Sequence, residues 1–135
     1  MKKLLAYLVD PEACIGMEYG VLDDLDCFYE TLDCDTIDIV TRKIGGRVYD
    51  IICDDEALLK PFPCPSATGS NGTMLYNKLL VCGQADDEGE LTSLTDEDIA
   101  NLKAHTQTSM CVVYTAHSGG KVKRELLRLT DVEYC

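Results

Sequence analysis

Tryptophan is absent from this chain of 135 residues, and histidine occurs only twice, at His105 and His117. Cations are scarce. Twelve lysines and arginines face 24 aspartates and glutamates, leaving a formal net charge of −12. Such a field repels nucleic acid, so no direct nucleic-acid binding is expected. The one basic cluster, Lys121, Lys123, Arg124 and Arg128, is short and contains Glu125. No apolar stretch is long enough to span a membrane. The opening run Leu4–Val9 stops at Asp10, too short for an export signal, and no small-residue cleavage site follows, so a cytoplasmic location is expected.

Eight cysteines are present, yet no two are spaced C-x-x-C and none pairs closely with a histidine, so no metal site is expected. Several sit in apolar runs, such as Leu79-Leu80-Val81-Cys82, where a thiol behaves as a small hydrophobe. With no export signal they read as reduced thiols. Cys64, between Pro63 and Pro65, reads as a passive cysteine in an exposed loop, because Asp54, Asp55 and Glu56 precede its only nearby cation, Lys60. No glycine-rich phosphate-binding motif occurs. The two histidines have no nucleophile at a telling spacing, so no catalytic residue and no cofactor are expected.

What is present suits one globular α+β domain over residues 1–135. The hydrophobic fraction is 46% and the charged fraction 27%, both ordinary for a folded domain. Residues 3–9 read as a strand ended by Asp10-Pro11. Residues 22–32 read as a helix, capped by Asp23 or Asp24, with Leu22, Leu25, Phe28, Tyr29 and Leu32 on one face. Residues 36–44 alternate as a strand, Gly45-Gly46 turns, and 47–53 returns as its hairpin partner. Residues 54–72, with Pro61, Pro63 and Pro65, read as an exposed irregular loop. Residues 74–82 read as one strand. Thr95 with Asp98 approximates a capping box for a helix running to about His105. Residues 110–116 and 121–130 read as strands around a turn at Ser118-Gly119-Gly120. The expected order is β-α-β-β-β-α-β-β, a mixed sheet of five to six strands with two main helices packed on it.

One feature is left over. Asp10 to Asp38 holds ten acidic residues and no basic one, and Asp86 to Asp98 holds seven more, again with no base. The bland reading is a solvated, solubilising surface. The functional reading is a protein-binding face that imitates nucleic-acid phosphates. Helix dipoles account for one or two carboxylates per helix. That leaves Glu30, Asp33, Asp35, Asp86, Asp87 and Glu88 as the candidate protein-binding residues.

The stretch Tyr49-Asp50-Ile51-Ile52-Cys53-Asp54-Asp55-Glu56-Ala57-Leu58-Leu59-Lys60 is followed by Pro65-Ser66-Ala67, then Leu80-Val81-Cys82-Gly83, then Leu91-Thr92-Ser93-Leu94-Thr95-Asp96-Glu97-Asp98-Ile99. With the upstream Asp35-Thr36-Ile37-Asp38-Ile39-Val40, this resembles the small proteins grouped as domain of unknown function 3846, over roughly residues 3–105. Ala57 stands where that family's turn usually carries glycine. The resemblance implies no activity and no catalytic residues. It does imply an origin in a phage or other mobile element.

The leading expectation is therefore a non-enzymatic accessory protein of a phage or mobile element that binds a host or element protein. Its sharpest form is an acidic mimic that inhibits a host nuclease defence, as an anti-CRISPR does. The alternative is a small-molecule or nucleotide binder using the 61–72 loop, with Ser66, Thr68, Ser70 and Asn71 as ligand-binding residues. A pocket with convergent polar groups under that loop would favour the alternative.

Overall fold

The computed structural model describes residues 2–72, 74–114 and 121–135, and only the backbone at 111, 113, 114, 121 and 122. His117 and the turn at Ser118-Gly119-Gly120 lie outside the described residues. The elements run β1 (Lys3–Asp10), β2 (Ile15–Leu22), α1 (Leu25–Leu32), β3 (Ile37–Ile44), β4 (Arg47–Asp54), a 3-10 turn (Ala57–Leu59), β5 (Pro65–Thr68), β6 (Met74–Tyr76), β7 (Leu79–Gly83), α2 (Asp96–Ala104), β8 (Thr106–Tyr114), β9 (Lys121–Leu129) and β10 (Val132–Tyr134). This is a single α+β domain.

The strands divide over two sheets rather than the expected one. The first is antiparallel, in the order β10-β3-β4-β7-β1-β2, and the second is mixed, in the order β6-β5-β9-β8. Strands β4, β7 and β1 form the middle of the first sheet, and side-chain alternation sends their apolar groups to both faces. Tyr7, Val9, Tyr49, Ile51, Leu79 and Val81 face the second sheet and α2, where Ala67, Leu127, Leu129, Ile99 and Leu102 complete the core. Leu4, Ala6, Ile52, Leu80 and Cys82 face the other way, under Phe28 and Leu32 of α1. The molecule thus stacks α1, the first sheet, and then the second sheet beside α2.

The β3–β4 hairpin forms as the alternation predicts, with Ile37 opposite Asp54 and Ile44 opposite Arg47. Gly45 and Gly46 both take positive φ, at 58° and 81°. The capping box of α2 is also present. The Asp98 amide donates to Thr95 Oγ1 at 3.2 Å, and the Thr95 amide donates to Asp98 Oδ2 at 2.9 Å. Helix α1 is shorter than predicted. Leu22 belongs to β2, Leu25 is exposed, and Asp24 holds the N-cap position without a side-chain cap bond.

Several elements differ from the sequence expectation, including an added strand β10 and a β8 that starts at Thr106 rather than at 110. Strand β2 was not anticipated, because an edge strand with two glycines and Glu18 shows little apolar alternation; only Val21 is buried. Residues 74–82 form two strands, split at Asn77, whose φ of 63° turns the chain from the second sheet to the first. The 54–72 segment is not wholly irregular. It holds the 3-10 turn and β5, with Ser66 and Ala67 fully buried. Pro65 is tolerated as the first residue of that strand. Ala57 is buried in the 3-10 turn.

A Cβ on Gly45 would meet the Asn101 and His105 side chains, whereas one on Gly46 would meet nothing within 4 Å. Gly45→Ala is therefore expected to cost more than about 2 kcal/mol, through its left-handed φ and the clash together. Gly46→Ala should cost about 1 kcal/mol from φ alone. Urea unfolding of the two variants measures the difference.

Candidate functional site

A cleft of about 400 Å³ opens where the β1–β2 turn, the end of α1, the end of β4 and the 60–62 segment meet. Its apolar wall includes Pro11, Leu32, Pro61 and Phe62. Four acidic residues, Asp10, Glu12, Asp33 and Asp54, line it together with Lys60 and Lys78. Asp54 is the anchored member. Its side chain is only 4% exposed, and Lys60 Nζ lies 3.7 Å from its Oδ2. The Glu56 amide donates to Asp54 Oδ1 at 2.9 Å, which fixes the chain as it leaves β4. Glu12 pairs with Arg124 at 3.2 Å, tying the β1–β2 turn to β9.

Asn77 holds the wall in place. It accepts the Cys64 amide on Oδ1 at 2.9 Å and donates its own amide to the Cys64 carbonyl at 2.8 Å. A second cleft of about 530 Å³ lies between β2 and α1 and shares Asp10 and Lys78 with the first. Glu30 lines it.

The predicted protein-binding residues fall into two groups rather than one face. Glu30, Asp33 and Asp35 surround the C-terminal end of α1 and are exposed. The hairpin register brings Asp54, Asp55 and Glu56 beside them: the Asp55 amide donates to the Thr36 carbonyl at 3.2 Å, and Thr36 Oγ1 donates to Glu56 Oε1 at 3.2 Å. Asp86, Asp87 and Glu88 sit at the other end of β4. There the buried Asp50 accepts the Ala85 amide at 2.7 Å and the Thr41 hydroxyl at 2.6 Å. Asp50 and Asp54 lie on one face of β4, roughly 13 Å apart at 3.3 Å per residue. The remaining acids of 86–98 include Glu97 and Asp98, which cross to α2 and pair with Arg47.

Two of the six candidates have a local structural role. Asp86 accepts the amides of Glu88 and Glu90 on one oxygen, closing a tight turn. Asp33 is the left-handed C-cap of α1, at φ 53°. Among the described residues the other four have no side-chain hydrogen bond of this kind. Among the described residues none of the six forms an ion pair.

The predicted ligand-binding residues do not converge. Ser66 is fully buried in β5, its hydroxyl without a partner, and Thr68 closes the same strand half-buried. Ser70 and Asn71 lie exposed in the turn beyond. The cleft under this loop is built instead from Lys60, Pro61 and Phe62. Among the described residues no group of three or more His, Cys, Asp or Glu side chains could hold a metal ion. No helix there is long and apolar enough to cross a membrane. His105 Nδ1 lies 2.8 Å from the Asn101 carbonyl, at the end of α2.

Cys64 is not exposed, as its flanking prolines suggested. It is fully buried against Leu126. Burial, with Glu12 beside it, pushes its thiol up to about 11, and burial likewise pushes Cys53 to about 11 and Cys82 to about 12. These are protonated thiols at neutral pH and poor nucleophiles.

With this geometry in view, the sequence matches the family described as Domain of unknown function (DUF3846) over residues 1–107. The chain belongs to that family. No curated protein and no solved structure matches it.

The buried thiols give a pH signature. Cys53, Cys64 and Cys82 are raised from an ordinary value of 9.0, so the unfolded chain loses these protons before the folded one does. Their contribution to stability is complete below about pH 9 and declines as pH rises towards 11–12. Urea midpoints measured from pH 8 upward should fall across that window, and less steeply in a Cys53→Ala/Cys82→Ala variant compared with its own value at about pH 8.

Proposed function

We propose that this chain is a non-enzymatic accessory protein that docks on a basic, nucleic-acid-handling protein, its carboxylates standing in for phosphates. The observation that carries the reading is the placement of Glu30, Asp33 and Asp35 at the C-terminal end of α1, where the last turn holds no basic residue. A carboxylate there opposes the helix dipole by about 0.3–1 kcal/mol. In α2 the same chain puts Asp96, Glu97 and Asp98 in the first turn and Lys103 in the last, as the dipole favours. Asp33 also serves as the left-handed C-cap, but Glu30 and Asp35 have no such local role, and charge held there against a local cost calls for a reason outside the fold. Asp55 and Glu56 widen the same exposed rim. The sharpest form of the proposal is an inhibitor of a host nuclease defence, of the anti-CRISPR kind, made by a phage or mobile element.

A second reading has a specific observation in its favour. The cleft of about 400 Å³ under Pro61 and Phe62 gathers Asp33, Asp54, Lys60 and Lys78, a size and composition that suit a small charged ligand.

An RNA-guided nuclease cleaving duplex DNA, titrated with the chain across a salt series, tests the leading proposal. Inhibition should compete with DNA and weaken as salt rises, since exposed charges are screened over about 8 Å at physiological ionic strength. It should be lost in the Glu30→Gln/Asp33→Asn/Asp35→Asn variant, whose own stability should rise slightly. No inhibition, or equal and salt-independent inhibition by both proteins, would sink it. Nucleotide-induced NMR shifts at Lys60 and Lys78 would favour the second reading.

A further inference from the structure

Between Lys103 and Lys121 the chain has no aspartate, glutamate, lysine or arginine, an unusual gap in a protein that is 27% charged. That gap contains β8, nine residues long, at the edge of the second sheet, where among the described residues β9 is its one neighbour. An edge strand offers a row of unpaired backbone groups, and natural proteins blunt such edges with charge, proline, bulges or short length. The other edges here are blunted. Strand β2 carries Glu18, while β6 and β10 have three residues each and β10 carries Glu133. Strand β8 has none of these devices.

Its register fixes which groups point outward. The Thr130 amide donates to the His105 carbonyl at 2.7 Å, in line with the pairing of Thr106 with Leu129. Across the planar peptide the next amide, at Thr106, points away from β9. Alternation then turns the backbone groups of Gln107 and Ser109 inward, and those of Thr108, Met110 and Val112 towards the open edge. The side chains on these three residues are neutral. Met110 is 64% exposed and Val112 is 51% exposed.

We propose that β8 pairs antiparallel with β8 of a second copy, about a two-fold axis at Met110, joining the two four-stranded sheets into one of eight. Thr108 of each copy then lies opposite Val112 of the other, and Met110 opposite Met110. Charge argues for a second copy as the occupant. Two chains of net charge −12 repel over most approaches, but β8 has no charged residue and the β9 strand beside it is net basic, with Lys123, Arg124 and Arg128 against Glu125, so approach is least opposed at this edge. It also belongs to the second sheet, across the first sheet from α1, so the carboxylates around α1 stay free. An isologous contact of this kind closes as a dimer and does not propagate.

Sedimentation equilibrium of the full chain should give twice the 14.9 kDa chain mass. In Met110→Lys/Val112→Lys the mass should halve, while circular dichroism is retained. Hydrogen exchange of the wild type adds a readout that needs no substitution. On dilution below the dimer midpoint, the amides of Thr108, Met110 and Val112 should exchange faster, and those of Gln107 and Ser109 should not change. A wild-type monomer at every concentration overturns the proposal. So does a dimer that survives the double lysine variant with these amides still protected, or a dilution effect without the alternation.

Discussion

Burial of the first sheet on both faces is the constraint on which the rest of this fold depends. Adjacent residues of β4 and β7 point to opposite cores, so Ile51 and Ile52 are both fully buried, as are Leu80 and Val81. A strand of this kind must be covered twice. Helix α1 covers one side through Phe28 and Leu32, and the second sheet with α2 covers the other. The two covers differ in chemistry. The α1 side buries two carboxylates, Asp50 and Asp54, which bond the loops leaving the sheet at either end. The opposite side uses a polar chain, in which Asn101 Nδ2 donates to Tyr49 Oη at 2.9 Å and that hydroxyl donates to Asp98 Oδ1 at 3.3 Å, to seat α2.

Those buried carboxylates also explain where the exposed ones end up. Asp54 caps the turn that carries Asp55 and Glu56, and the β3–β4 register places that turn beside Asp35 and Thr36. Asp50 holds Ala85, and so positions the 86–88 turn. The two acidic groups are thus carried at opposite ends of one rigid strand, with α1 between them. The matched family segment ends at residue 107, while Leu127 and Leu129 of the second sheet and Val132 of the first lie beyond it.

How much of this was legible depended on how local the signal was. The α2 capping box and the Gly45-Gly46 hairpin are encoded within a few residues, and both read correctly. Strand β2 did not, because an edge strand facing solvent needs little apolar alternation, and Gly16 is there to let Tyr7 and Thr106 approach. The break at Asn77 was hidden because an apolar run on either side of one left-handed asparagine looks continuous. At the candidate site, the acidic cluster of Glu30, Asp33 and Asp35 was legible from charge counting. Asp54, Asp55 and Glu56 were missed as their neighbours, although pairing outward from the Gly-Gly turn already sets Ile37 against Asp54. The expected ligand-binding residues do not converge, because a run of small polar residues that reads as a loop places Ser66 at a buried strand position.

Ile51 and Ile52 offer the most direct test, since they are the same residue type, adjacent, fully buried and on opposite faces. Urea unfolding of Ile51→Ala and of Ile52→Ala should each show a loss of about 2–5 kcal/mol, the cost of a core truncation. If either substitution cost less than about 0.5 kcal/mol, the range of an ordinary surface change, that face of β4 would not be covered and the two-sided core would be contradicted.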